Sequence, residues 1–322
     1  MERRHLLKII AASALPSAAK VSFGAAYPSG QVRVLVGFPR GGPVDIAARM
    51  IAGWLSRRLG QPFVVDNQVG ESSNVATRTL VRSAPDGHTL LVCGPVNVIN
   101  DSLFSSLDFR FPRDITPIAG LFRVPLLVEV NPAVPIESAS DFLTYAKANP
   151  SKLRVAYAGV GTPQHVGIEL FKAMAGVDLT LVPFAGSTPA LEAVLAGKAD
   201  AMFDPMPSSV GLAKSGRLRP LAVTTLERSE ALPGVPAMSE LVPGYEASSW
   251  FGVVAPKDTP ASIVARLNDE INAGVRDADI QKDIQAIGGM VMPGTAEDFA
   301  RFLAKEAEVY STTIRSLGIR AG

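Results

Sequence analysis

Three stretches of the chain put glycine, a helix cap and proline in the order that builds an anion site. They are Gly37-Phe38-Pro39-Arg40-Gly41-Gly42-Pro43, Ala158-Gly159-Val160-Gly161-Thr162-Pro163 and Phe184-Ala185-Gly186-Ser187-Thr188-Pro189. Proline suits the first helical position, because its fixed φ matches the helix and its missing N–H would have had no partner there. That reading makes Gly42, Thr162 and Thr188 the caps. The free N–H groups and the positive end of the helix dipole would then receive a carboxylate or phosphate. A lone Thr-Pro helix start, such as Thr259-Pro260, is ordinary capping. Glycine beside the cap in three turns suggests instead a small anion held by backbone donors. The sharpest expectation falls on Gly161-Thr162-Pro163, with the Thr162 hydroxyl as a supporting donor and Gly161 admitting the ligand close to the chain. None of the three is a nucleotide fingerprint, since the glycine spacing is wrong and no Gly-Lys-Ser/Thr follows.

Single side chains near these turns carry two readings each. Asp45, at the third helical position, either stabilises the helix start or orients water or a ligand amine. His165, in the first turn after Thr162, is either a ligand donor or a packed histidine. Asp204, between Ala201-Met202-Phe203 and Pro205, either makes a turn or lines a cleft. No Gly-x-Ser-x-Gly elbow or His-Glu-x-x-His motif is present, and no catalytic residue is assigned. An exported hydrolase with two carboxylates paired only in space is the alternative this leaves open.

The elements that must position these turns alternate strand and helix. Strands are expected at 32–37, 63–65, 89–93, 153–156, 180–182 and 201–203, with helices at 43–59, 74–81, 163–175 and 189–196. Such alternation predicts an α/β fold with largely parallel sheets, whose ligands bind at the carboxyl ends of strands. Two extended apolar runs, 124–130 and 249–255, read as crossovers between two domains. Residues 126–249 would then be an inserted domain, and 27–125 with 250–322 the other, closed by helices at 261–275 and 296–317.

Composition narrows the function classes. The 322 residues suffice for about two domains. One cysteine (Cys93) and three dispersed histidines give no disulfide and no metal-ligand spacing, so neither metal nor cofactor is expected. Residues 1–26 open with Arg3, Arg4 and Lys8, continue apolar from Ile9 to Leu15 and end in Gly24-Ala25-Ala26, the pattern of a cleaved signal peptide, of either the Sec or the twin-arginine type. The remainder carries 27 basic and 29 acidic residues, with no basic face for nucleic acid. A periplasmic protein, monomeric and without a membrane span, is expected.

Residues 34–49, from Val34-Leu35-Val36-Gly37-Phe38-Pro39 through Asp45 to Arg49, resemble the opening of the Bug family, the periplasmic substrate-binding proteins of tripartite tricarboxylate transporters. Leu59–Asn67, Ala84–Leu91, Gly159–His165, Val182–Ser187, Ala201–Asp204 and Ser249–Gly252 extend the resemblance over essentially the whole chain after the signal. The resemblance implies a two-domain periplasmic-binding-protein fold of the Venus flytrap type II kind, with two crossover strands and an interdomain cleft for a small carboxylate. It also implies that Phe38, Pro39, Arg40, Gly41, Gly42 and Asp45 hold the distal end of the ligand. The stretch Ala158, Gly159, Gly161, Thr162, Pro163 and His165, with Phe184, Ser187 and Asp204, would contribute from the other domain. The implied partner is the membrane part of such a transporter, or a sensor kinase. Four departures bear on specificity. Arg40 replaces a usual proline, Gln164 a usual serine, and Pro95-Val96 follow Gly94 where small hydroxyl residues are common in the cleft. Gly70–Asn74 lacks glycines usual there.

Overall fold

The computed structural model describes residues 27–320; the expected signal peptide lies outside them. The first lobe begins with β1 (Val32–Val36), α1 (Pro43–Leu59), β2 (Phe63–Asn67), α2 (Asn74–Val81), β3 (Thr89–Cys93), α3 (Pro95–Leu103) and the short α4 (Phe111–Asp114). The long strand β4 (Ile115–Val130) leaves it. The second lobe follows as α5 (Ala139–Ala148), β5 (Arg154–Tyr157), α6 (Pro163–Ala175), β6 (Thr180–Pro183), α7 (Ser187–Leu195), β7 (Ala201–Pro205), α8 (Met206–Lys214) and β8 (Arg219–Val223). β9 (Ser248–Pro256) returns to the first lobe, which ends with α9 (Ala261–Arg276), α10 (Ala278–Ala286), β10 (Met290–Val291) and α11 (Ala296–Leu317).

The strands follow the path β2-β1-β3-β9-β4-β7-β5-β6, with β8 and β10 also on β4. Within each lobe the strands joined through a helix are parallel: β1 with β2 and β3, β5 with β6 and β7. The crossovers are antiparallel, which the expectation of largely parallel sheets passed over. β4 exchanges partners between two adjacent residues: up to Pro125 it pairs with β9, and from Leu126 it pairs with β7. Pro125 has no N–H to give a ladder, which suits it to the point of exchange. Buried Thr224 pins the crossing. Its Oγ1 accepts from Leu126 N at 2.8 Å and donates to Ala247 O at 2.7 Å, bridging both chains that pass between the lobes.

Each lobe has its own core. In the first, Val34, Val36 and Ile51 pack with Phe122, Phe251 and Ile271; in the second, Val128, Phe142 and Val155 pack with Phe171, Phe203 and Tyr245. α11 belongs to the first lobe by sequence yet reaches the second: its Ile314 is buried with Ile99 of α3 and Val166 of α6.

Two helix starts differ from expectation. α7 opens at Ser187 with Gly186 as its cap, so Thr188 lies inside the helix and Pro189 at the third position, where the first turn still asks for no intrahelical N–H bond. α9 opens at Ala261 after Pro260, and Thr259 Oγ1 donates to Pro256 O at 2.7 Å instead of capping. α3 escaped the sequence reading because its residues 95–100 are all buried, and a helix apolar all round loses its periodic signal. No helix among the described residues is long and apolar enough to cross a membrane.

Candidate functional site

Between the lobes lies a cavity of about 30 Å³. From the first lobe it is lined by Phe38, Pro43 and Val44 after β1, by Gly94, Pro95 and Val96 after β3, and by Ser249 and Phe251 of β9. From the second lobe come Ala158, Thr162, Pro163 and Gln164 after β5, then Ser187 and Pro205. The lining carries no charged side chain. What converges on it are helix starts: α1, α3 and α6 each present a proline at the first position, and Ser187 is the first residue of α7.

This arrangement decides where the donors are. The first-turn N–H groups of a helix have no intrahelical partner, and a proline at the first position passes that role to the next residue. Among the described residues, no backbone or side-chain acceptor takes the N–H of Val44, Val96, Gln164 or Ser187. Four such donors from four helices border one cavity. Unpartnered N–H groups at helix N-termini suit an anion.

At the expected grip, Gly161-Thr162-Pro163, the free N–H is that of the following residue, Gln164. Gly161 N donates to His165 Nδ1 at 3.4 Å, Thr162 N to Gly159 O at 3.3 Å, and Pro163 has no N–H, leaving Gln164 N as the donor of that turn. The Thr162 hydroxyl donates to Gly159 O at 2.7 Å and accepts from His165 N at 3.4 Å, as a helix cap does. Its single proton is spent. Gly161 has φ +79°, and a Cβ there would stand 2.7 Å from Asn100 Oδ1 and 3.0 Å from Leu103 Cδ2. Its bareness thus admits α3 of the opposite lobe.

Other expected residues stand behind the lining. Asp45 is 1% exposed, and its carboxylate accepts from Gly41 N, Arg49 and Asn67 Nδ2, each at 2.9 Å. Asn67 Nδ2 also donates to Phe38 O. Burial alone would raise the Asp45 pKa, but the Arg49 guanidinium and these N–H donors outweigh it and hold it below the ordinary value. Asp45 therefore braces the 38–41 loop instead of facing the cavity. Arg40 is exposed, and its carbonyl accepts from Thr188 Oγ1 at 3.0 Å across the lobes. Pro39 packs where a side chain on Gly186 would be, and Gly42 caps α1. His165 stacks on Tyr157 with centroids 4.9 Å apart, and burial lowers its pKa, disfavouring the charged imidazole. Phe184 packs in the second lobe against a cluster that includes Ala156 and Ala190, while the Phe184 carbonyl sits over Gly159.

Asp204 is wholly buried one layer behind Ser187. Its Oδ1 accepts from Ser187 Oγ at 2.5 Å and Gln164 Nε2 at 3.3 Å; its Oδ2 accepts from Ser208 and, at 3.0 Å, from Ser209. Ser209 also meets Glu129 Oε1 at 2.5 Å, and Glu129 Oε2 has no partner. Burial, reinforced by the Asp204 charge, pushes the Glu129 carboxyl well above the ordinary range. A protonated Glu129 donates to Ser209, which then gives its proton to Asp204. The burial of Asp204 likewise raises its pKa, against the pull of four donors.

The lobes touch at the rim. Ser72 Oγ donates to Val160 O at 2.7 Å, beside the Thr188–Arg40 bond. Ser72 sits in the middle of three successive non-glycine residues in the left-handed region, Glu71, Ser72 and Ser73, with φ of 48°, 49° and 73°. That conformation costs roughly 1–2 kcal/mol per residue, and it falls in the Gly70–Asn74 stretch, where the resemblance leads one to expect more glycine.

The model of the tripartite tricarboxylate transporter family receptor matches residues 47–319. The chain belongs to this family. Protein BugT of Bordetella pertussis is 33% identical, with 91% of each chain covered. Among solved structures, Rpa4515 of R. palustris with adipate is 35% identical with a TM-score of 0.89, covering 91% of this chain and 99% of that one. MatC (Rpa3494) of Rhodopseudomonas palustris with bound malate is 31% identical with a TM-score of 0.83, covering 89% and 100%. The fold is thus the two-domain periplasmic-binding-protein fold, and this family member is a periplasmic solute-binding protein, not an enzyme. Sequence reasoning did not single out Pro43, Val44, Pro205, Ser249 or Phe251 as ligand contacts, and it noted Val96 and Gln164 only as departures bearing on specificity. Val44 and Val96 have inert side chains, and the signal for their main-chain donors was the proline before each.

Proposed function

We propose that the protein captures a small carboxylate in the interlobe cavity and delivers it to the membrane part of a tripartite tricarboxylate transporter. The observation that carries this reading is the set of four unpartnered N–H groups, on Val44, Val96, Gln164 and Ser187, around a cavity with no side-chain cation. Backbone donors at helix ends hold anionic charge without the desolvation of a buried lysine or arginine. The adipate and malate of the two solved relatives are acids of this class. The first 26 residues serve as the export signal. Residues 27–125 with 250–322 form one domain and 126–249 the inserted one, hinged where β4 exchanges partners. A cavity of about 30 Å³ is far below the roughly 300–1,000 Å³ of drug-sized sites. A solute of several carbons therefore enters with the lobes apart and is enclosed by hinge bending.

Thermal melting against a panel of mono- and dicarboxylates and their methyl esters tests the proposal. A bound acid raises the melting temperature with its concentration, because only the folded state binds it. Its ester does not. Stabilisation by esters as strong as by acids would refute an anion grip, and conversion of a stabilising acid during incubation would refute a pure binder.

A further inference from the structure

Gln164 stands on the cavity wall and is 2% exposed. Its neighbours fix which way the amide faces. Nε2 donates to Ser187 Oγ at 3.1 Å and to Asp204 Oδ1 at 3.3 Å. With four donors converging on it, the Asp204 carboxylate only accepts, and turning the amide over would set oxygen against oxygen. Oε1 therefore occupies the other end of the amide. No described residue donates to it, yet it is not among the partnerless side-chain atoms sealed inside the protein, which among the described residues are Asn100 Oδ1, Asp101 Oδ1 and Glu129 Oε2. An accessible, unpaired oxygen on a residue almost wholly enclosed and lining the cavity opens onto that cavity.

The remaining side-chain polar groups of the lining are mostly committed. Thr162 gives its proton to Gly159 O, and Ser187 gives its own to Asp204. The Ser249 hydroxyl, 2% exposed, has no partner among the described residues and is not sealed either. The cavity thus offers four N–H donors, one free hydroxyl and one neutral acceptor. A bare carboxylate satisfies the donors but brings only oxygen lone pairs to Gln164 Oε1.

We infer that the solute is a carboxylate that also carries a neutral O–H or N–H donor, as a hydroxy acid or an acid amide does, and that Gln164 Oε1 selects it. This rests on the proposed carboxylate reading of the cavity and deepens it. An ammonium is a poorer match, because the carboxylate behind this wall, Asp204, is wholly buried behind Gln164 and Ser187 and already takes four hydrogen bonds. Enclosing a solute without the donor leaves Oε1 desolvated and unpaired, which corresponds to roughly tenfold to hundredfold weaker binding.

Isothermal titration of the purified protein with matched pairs tests this. Malate against succinate, 2-hydroxyglutarate against glutarate and 3-hydroxyadipate against adipate read the hydroxyl. Succinamate against 4-oxopentanoate reads the amide N–H. At least one donor-bearing member should bind about tenfold or more tightly than its partner. In Gln164→Met that advantage should shrink to about threefold or less. Equal affinities within every pair, or an advantage that survives Gln164→Met, would overturn the inference and leave the carboxylate reading standing. Failure of every acid to bind would remove both. The wild-type ratio needs no variant, so a poorly folding Gln164→Met does not blunt the test.

Discussion

Gly161→Ala separates the cost of backbone conformation from the cost of closing the cleft. At φ +79° an alanine is strained in open and closed protein alike, by roughly 1–2 kcal/mol. That share appears as lower folding stability and cancels from solute affinity. The added Cβ also meets Asn100 Oδ1 at 2.7 Å and Leu103 Cδ2 at 3.0 Å, both on α3 of the facing lobe. This contact exists only when the lobes are together. Asn100 cannot swing away freely, because its Nδ2 is held by Ser72 O at 2.7 Å and Asn74 Oδ1 at 2.9 Å. Forcing one carbon into so tight a contact costs about 1–3 kcal/mol, or roughly a fivefold to hundredfold loss of affinity. Titration with whichever acid stabilises the wild type measures the loss, and denaturant melts without acid measure the strain. Asn100→Ala removes the opposing oxygen, so the double variant should recover part of the lost affinity but none of the backbone strain. Unchanged affinity in Gly161→Ala alongside the expected loss of stability would refute the reasoning. It would mean that bound protein does not bring α3 against this turn.

Three further outcomes follow from the same geometry. Thr162→Ala removes a helix cap whose proton never faced the cavity, so stability should fall by about 1 kcal/mol in chemical denaturation while affinity moves less than about twofold. Ser72→Gly relieves a left-handed serine and deletes the bond to Val160 O; thermal stability without acid should rise while affinity drops roughly fivefold, the scale of one hydrogen bond. The Glu129 carboxyl is held above its ordinary 4.5, so the folded chain keeps a proton there that the unfolded chain releases, and folding weakens as pH climbs past 4.5. Glu129→Gln takes that dependence away. Melting curves taken between about pH 5 and 8 should show the variant losing less stability than the wild type, and parallel curves would contradict a protonated Glu129.

The sequence disclosed the scaffold well where local chemistry dictates it. Pro43 and Gly60 bound α1, Thr162 and Gly176 bound α6, and the β-branched runs are strands. It disclosed the site less evenly, because the site is made of main chain. Residue types drew attention to Asp45, His165 and Thr162, which brace, stack and cap. The groups free to meet a solute sit on Val44 and Val96, chemically silent side chains one step past a proline. Counting from the proline to the first residue with an N–H would have found them. Gln164 was visible only as an oddity until Asp204 fixed its amide, and Asp204 lies 40 residues away. Ser249 was hidden in a crossover strand whose apolar run masked it.

The packing of Ile314 on Ile99 and Val166 gives the C-terminal helix a hold on the opening and closing of the lobes. Parting the lobes would pull Val166 from its two partners and wet their apolar surface, so this contact works for the closed arrangement even before any solute adds its own. Apparent affinity scales with the population that is ready to bind. A fusion, epitope tag or trimmed end next to Ile314 would therefore shift the measured dissociation constant without touching the cavity. A biosensor built on this scaffold could be tuned to higher or lower solute concentrations through that helix alone, its chemical selectivity left as it was.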